Sequence, residues 1–325
     1  MAGSSYTLRL DPWAPEYEGM VQMGDDLEPA SVDIRVERPV WEAVRPVPGP
    51  VAARIAFVDG VRRIERRLVV VEGARSYFGL LGSYGIGSVS IDSTARVGHE
   101  MVGRVLVTGG GYKTRPFEAA VDGRLRLRFE PVTQPDADPG APVDGLQTAM
   151  RQSEASLAER LAAEVDVVFQ DGPLTFLTAA ARGAVVGFVK RLLRPYLDPS
   201  AQALLPRLAV GERTPVFLIA GRDPRYSWYL RIAHGRAIES ELTGVARLEA
   251  PAARGLDEAR QLADLSARLL PRFASDAARD PRAPQNLYPI GGLEAQLKHR
   301  LGDAAVVRRA IEAQLHSEVT AEVTA

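Results

Sequence analysis

The apolar residues change their period once along the chain, near residue 140, and that change limits the folds open to it. Before it they fall in strand-like runs: an alternating stretch over 31–36, then Ile55–Val58, Arg63–Val71, Val102–Val107 and Leu125–Phe129. A loop rich in proline, aspartate and glycine follows over 131–142. Beyond it Leu146, Met150, Leu157 and Leu161 step by 4, 7 and 4, which marks one face of a helix over 145–164. Strand-like runs return at Val165–Phe169, Ala184–Val189 and Val216–Ala220, with helical patterns over Arg254–Phe273 and Gly292–Leu315. Strands first, then strands and helices mixed, predict an α/β or α+β layered domain without internal repeats. Seven prolines in the first fifty residues set 1–50 apart as an N-terminal extension to a domain spanning 51–325.

Composition removes several function classes. The 325 residues contain no cysteine, so disulfides, iron–sulfur clusters, thiolate zinc sites and a cysteine nucleophile are excluded. Any metal must rest on carboxylates or histidines. The formal net charge is -1, which gives no argument for nucleic acid from global basicity, although a local basic groove stays open. Three lysines, Lys113, Lys190 and Lys298, stand against 37 arginines, so each lysine departs from the habit of the chain. The first twenty residues lack the basic and apolar regions of a signal peptide, and no run approaches eighteen apolar residues; a soluble cytoplasmic protein, with no membrane association, is expected.

Three acids then stand out. Asp59 and Asp171 each follow an apolar strand and precede a glycine, at the strand ends where open α/β sheets place their sites. Asp-Gly is also a common turn dipeptide, and Asp59-Gly60 reads as a hairpin between Ile55–Val58 and Arg63–Val71. Glu154 lies four residues after Met150 and three before Leu157, inside the apolar stripe. A carboxylate there is costly unless it reaches water at the stripe's edge, pairs with Arg151 one turn back, or meets a divalent cation. Together the three could converge at one end of the sheet, and such oxygen ligands suit manganese or magnesium in phosphodiester cleavage.

The order hairpin aspartate, helix glutamate, strand-end aspartate resembles that of ribonuclease H-like nucleases. FVDG at 57–60, FQDGPL at 169–174, VVGFVKR at 185–191 and YPIGGLEAQLKHR at 288–300 together resemble the NurA nuclease family over roughly residues 51 to 300. The resemblance implies a ribonuclease H-like mixed β-sheet flanked by helices and a manganese-dependent DNA nuclease, a single-strand endonuclease and 5′–3′ exonuclease. It also implies a homodimer that works with a HerA-type hexameric ATPase in end resection and double-strand break repair. Asp59, Glu154 and Asp171 match the metal-binding acids, and Tyr288 and His299 match the late aromatic and histidine, His299 being a further candidate ligand. Glu159 and Glu164 are the alternatives to Glu154. Glu159 falls on the far side of the helix, and Glu164 falls where the helical pattern gives way to the next strand.

Residue by residue, other roles stay open. His299 lies more than a quarter turn off the stripe Leu293, Leu297, Leu301, and is either a solvated histidine or a ligand or phosphate contact. Lys190 closes a buried-strand pattern and is either a transition-state contact or a strand-end residue in water. The stretches Gly109–Thr114 and Gly79–Gly87 lack the spacing of nucleotide-binding loops, and the second reads as a loop. Arg62–Arg67, read as an alternating strand, sends Arg62, Ile64 and Arg66 to one face, as a phosphate track or a guarded edge. Arg222, Arg225 and Trp228 suit DNA or a dimer interface equally. The rival to a nuclease is a DNA-gripping adaptor of the ATPase that cuts nothing; a third reading is a nuclease acting on RNA.

Overall fold

Eighteen consecutive residues, Ile55 to Glu72, form one strand, and the sheet is organised around it. The computed structural model describes residues 7–10, 31–47, 53–177, 183–190, 196–236, 239–276, 278 and 283–324. In chain order its elements are β1 (Thr7–Leu10), β2 (Val32–Asp33), β3 (Ile55–Glu72), β4 (Arg75–Ile91), β5 (Ala95–Thr108), β6 (Phe117–Ala120) and β7 (Arg126–Thr133). There follow α1 (Ala141–Leu161), β8 (Val167–Asp171), β9 (Val185–Val189), a single-turn α2 (Pro199–Gln202), β10 (Phe217–Ile219), β11 (Arg225–Arg231) and β12 (Val245–Pro251). Three helices complete it: α3 (Leu256–Leu269), α4 (Tyr288–Arg300) and α5 (Ala304–Thr324). The sheet order is β2-β10-β11-β12-β9-β8-β3-β4-β5-β7-β6, with β1 against the far end of β3. None of the described helices is long and apolar enough to cross a membrane.

Strands β3, β4 and β5 form an antiparallel meander, and β8 and β9 add to β3 in parallel. The expected hairpin at Asp59-Gly60 is not there: β3 pairs with β4 from Ile55↔Ile91 through Asp59↔Gly87 to Glu72↔Arg75, and the turn comes at Gly73, φ +59°. Gly60 answers a packing need instead, because a Cβ there would collide with a carboxylate oxygen of Glu154 and approach Met150 Cγ to 3.0 Å. The loop expected over Gly79–Gly87 is the strand β4. Its glycines are the floor on which helices rest: a Cβ at Gly82 would meet Leu146 of α1 at 2.6 Å, and one at Gly87 would meet Leu293 of α4 at 3.1 Å.

Two helical layers sandwich the sheet. On one face Ala56, Val58 and Val168 pack with Met150, Leu157 and Leu161 of α1. On the other, Phe57, Phe169 and Phe188 join the core under α3, with Leu287 and Ile290, and α4 continues it over Val61 and Val89 through Leu293, Leu297 and Leu301. A bulge between Ile64 and Arg66 reverses the alternation of β3. Ile64 therefore packs with Leu146 of α1, while Leu68 and Val70 pack with Ile311 of α5. That reversal corrects the expected single arginine face. Arg62 donates to Gln147 on α1, Arg66 to Glu312 on α5, and Arg63 to Glu65 and to the carbonyl of Gly302, so these three guanidinium groups tie helices to the sheet. The helical pattern over Gly292–Leu315 is two helices, broken at Gly302, where φ is +82°.

Residues 31–47 are tied to the sheet's edge. Strand β2 pairs with β10, Val44 bridges Arg213, and Glu37 accepts from both terminal nitrogens of the buried Arg213 at 2.9 and 3.0 Å. Asp264 of α3 takes Arg213 Nε at 2.7 Å. Removing one partner of such a buried pair leaves the other charge stranded. Arg213→Ala is therefore expected to lower the unfolding free energy by about 3–5 kcal/mol, measured by urea denaturation; a loss under ~1 kcal/mol contradicts this role.

Candidate active site

The register places the two aspartates side by side. Ile55, Ala56, Phe57 and Val58 of β3 run parallel to Val167, Val168, Phe169 and Gln170 of β8, and Asp59 and Asp171 are the next residues on each. Strand β8 ends at Asp171 while β3 continues, which opens a notch in the sheet beside Asp59. Strand alternation puts both aspartates on the face of Phe57 and Phe169. Glu154 arrives from the opposite face on α1, beneath Gly60.

The chain beyond Asp171 is folded back tightly. Gly172 has φ +89° and donates its N–H to Phe188 O at 2.9 Å, and the Leu174 N–H reaches Glu249 Oε1 at 2.8 Å. Gly187 permits this crossing, since a Cβ there would lie 2.9 Å from Gly172 O and 3.0 Å from Glu249 Cγ. Glu249 is fully buried on β12 and held by Arg247 and Arg225. The glycines of FQDGPL and VVGFV thus bring the loop after Asp171 across β9 onto a clamped carboxylate.

Charge is concentrated around the notch. Asp59 is 4% exposed and Glu154 2% exposed, and Asp59 Oδ2 and Glu154 Oε2 are buried with no hydrogen-bond partner. Burial, with the charges of Asp171 and Glu154 close by, pushes the Asp59 carboxyl well above the usual carboxylate range. Burial likewise pushes Glu154 to about 8, with Asp171 adding to the rise and Arg151 and Lys190 opposing it. Lys190 Nζ donates to Asp171 Oδ2 at 2.8 Å and to the buried Asn286 Oδ1 at 2.6 Å.

Among the described residues, no group of three or more histidine, cysteine, aspartate or glutamate side chains is drawn together as tightly as a metal ion requires. The two unpartnered buried oxygens and the all-carboxylate donor set nonetheless suit a hard divalent cation, which would relieve the cost of burying both.

Four of the six residues expected at the site, Asp59, Glu154, Asp171 and Lys190, are brought together. Glu164 is exposed and Glu159 half-buried, whereas Glu154 faces the sheet. Tyr288 and His299 are exposed on α4, and among the described residues no hydrogen bond or ion pair joins either to the carboxylates. A fourth acid, Glu294, escaped the sequence reading. It is 7% exposed on α4, which packs Leu293 over Gly87, the cross-strand partner of Asp59, and its charge adds to the rise at Asp59. At about 100° per residue, His299 stands roughly 140° around the helix from Glu294. Glu294 lies next to Leu293 of the apolar stripe, and that neighbour was the available signal. Asn286 had none.

The raised Glu154 value has a consequence for stability. Below pH 4.5 the carboxyl is protonated in both folded and unfolded chains; between 4.5 and about 8 the unfolded chain ionises first, so metal-free stability falls as pH rises through that window. Glu154→Gln is expected to flatten this fall and to raise Tm above that of the parent at the alkaline end, read by thermal denaturation in EDTA across the window. A variant that melts lower than the parent throughout contradicts an unpaired buried charge.

No family model matches the sequence, and no curated protein matches it. Among solved structures, the NurA nuclease from Sulfolobus solfataricus is similar, with 12% identity and a TM-score of 0.49 over 86% of this chain and 88% of that one.

Proposed function

We propose that this protein is a metal-dependent DNA nuclease of the NurA kind, hydrolysing phosphodiester bonds at the notch beside Asp59. The observation that carries the reading is the pair of buried, unpartnered carboxylate oxygens, Asp59 Oδ2 and Glu154 Oε2, next to Asp171 at the carboxyl end of β8. The first aspartate stands in the meander, the glutamate on the helix that follows it, and the second aspartate on the parallel neighbour. This arrangement supports the ribonuclease H-like reading of the fold.

Asp59, Glu154 and Asp171 would hold manganese or magnesium. When bound, the cation lowers the pKa of water and neutralises phosphate charge. The chain's own residues prepare that chemistry. Burial keeps bulk water from solvating the acids, and Gly60 leaves space for Glu154 beneath β3. Lys190, held between Asp171 and Asn286, supplies a fixed positive charge to an anionic transition state. Tyr288 and His299, exposed on α4, are proposed to meet the substrate, His299 as a further ligand or proton donor. The wider reading is a cytoplasmic homodimer acting with a HerA-type ATPase in end resection and double-strand break repair, by single-strand endonuclease and 5′–3′ exonuclease cleavage.

The test is degradation of labelled single- and double-stranded DNA and of RNA by purified protein in manganese, magnesium or EDTA, beside Asp59→Asn. Manganese-dependent cutting of DNA is expected, reduced at least about a hundredfold in the variant, or ~2.7 kcal/mol of transition-state stabilisation. Equal cutting by the variant overturns the assignment. Binding of DNA with no cutting in any metal, with the ATPase added, assigns the adaptor role instead.

A further inference from the structure

Arg151, half-buried, stands one turn before Glu154 on α1, and opposite charges at that spacing ordinarily pair. Here the facing atoms do not. Arg151 Nε and Nη1 and Glu154 Oε2 are all buried with no hydrogen-bond partner. Glu154 extends beneath Gly60, whereas the Arg151 guanidinium lies along the backbone of Gly172, where a Cβ would meet Nη1 at 2.5 Å, Nη2 at 2.9 Å and Cζ at 3.1 Å. Two neighbouring side chains of opposite charge, each with buried unpartnered atoms, thus aim at different places, one at the strand carrying Asp59 and the other at the turn that follows Asp171.

Leaving both charges unpaired is costly unless each meets a ligand of the opposite sign during function. The ligand fitting Glu154 is a cation. The ligand fitting a planar guanidinium with free donors, beside the proposed metal-binding acids, is a phosphate oxygen, which arginine recognises with its fork of N–H groups. Gly172 is the other half of the device, since any side chain there would occupy the space of the guanidinium.

We propose that Arg151 is a catalytic residue that grips a nonbridging oxygen of the substrate phosphodiester at the Asp171-Gly172 turn. This rests on the nuclease reading and adds the anion contact that the carboxylates cannot provide. Arg151 therefore contributes to affinity for the nucleic-acid backbone, beyond balancing the charge of Glu154.

The experiment is fluorescence anisotropy of a labelled oligothymidylate with the full chain in calcium, over a salt series, with the length of the oligonucleotide checked afterwards. Arg151→Gln is expected to weaken binding about tenfold and to flatten the slope of log K against log salt by about 0.7, the value of one lost phosphate contact on a single strand. Arg151→Lys, which keeps the charge and loses the fork, is expected to keep the slope at an intermediate affinity. If Arg151→Gln does not fold, the lysine variant alone decides, and parental affinity in it overturns the proposal. Parental binding with unchanged affinity and slope in Arg151→Gln overturns this proposal and leaves the nuclease reading intact. Failure of the parent to bind any oligonucleotide overturns both.

Discussion

Burying carboxylates without partners costs free energy, and the centre of this fold is built around that cost. Strand β3 runs on past the end of β8, so Asp59 and Asp171 meet at a notch with sheet on one side and helices above and below. Glu154 enters from α1 because Gly60 has no side chain to stop it, and Glu294 enters from α4 because Leu293 and Leu297 settle against Gly87. Among the described acids of the notch, Asp171 is held by Lys190 and Glu294 lies 3.7 Å from Lys298, whereas Asp59 Oδ2 and Glu154 Oε2 have no hydrogen-bond partner. Those two oxygens are what an incoming cation would meet.

The surrounding framework spends its own buried charges differently. Arg213 with Glu37 and Asp264, and Glu249 with Arg247 and Arg225, are networks in which each buried carboxylate is paired with a guanidinium, with Arg225 Nε left without a partner. The first fastens residues 31–47 and α3 to one end of the sheet, and the second latches the loop beyond Asp171. Against these paired carboxylates, the unpartnered oxygens of Asp59 and Glu154 make the notch a place where an incoming cation lowers the energy.

The layered α/β class and most elements were legible as period changes in the apolar residues, because each strand or helix must bury one face. Asp59, Glu154 and Asp171 were legible for the same reason: an acid in an apolar pattern is conspicuous. Glycine was the main source of error. Asp59-Gly60 and Gly79–Gly87 carry the composition of turns, yet both lie inside long strands, where the missing side chains admit Glu154 and Leu146, Leu293 and Leu297. A bulge cannot be read from alternation, so Arg62 and Arg66 seemed to share a face that the bulge after Ile64 divides between α1 and α5. Strands β11 and β12 were missed because Arg225, Arg231, Arg247 and Glu249 interrupt their apolar runs, and these charges, buried except for the half-buried Arg225, are held by pairing or by backbone carbonyls. Asn286 depends on which loop returns to the notch, a tertiary fact with no local pattern, and the one local sign of Glu294 is its place beside Leu293 of the α4 stripe.

The most direct measurement is a manganese titration of the metal-free protein, following the electron paramagnetic resonance signal of the free ion, beside Asp59→Asn and Glu154→Gln. If the buried, unpartnered carboxylates form a cation site, the parent takes up about one or two ions per chain in a saturable curve that both substitutions abolish at the same concentrations. Uptake unchanged by either substitution, or no uptake by the parent, contradicts the account.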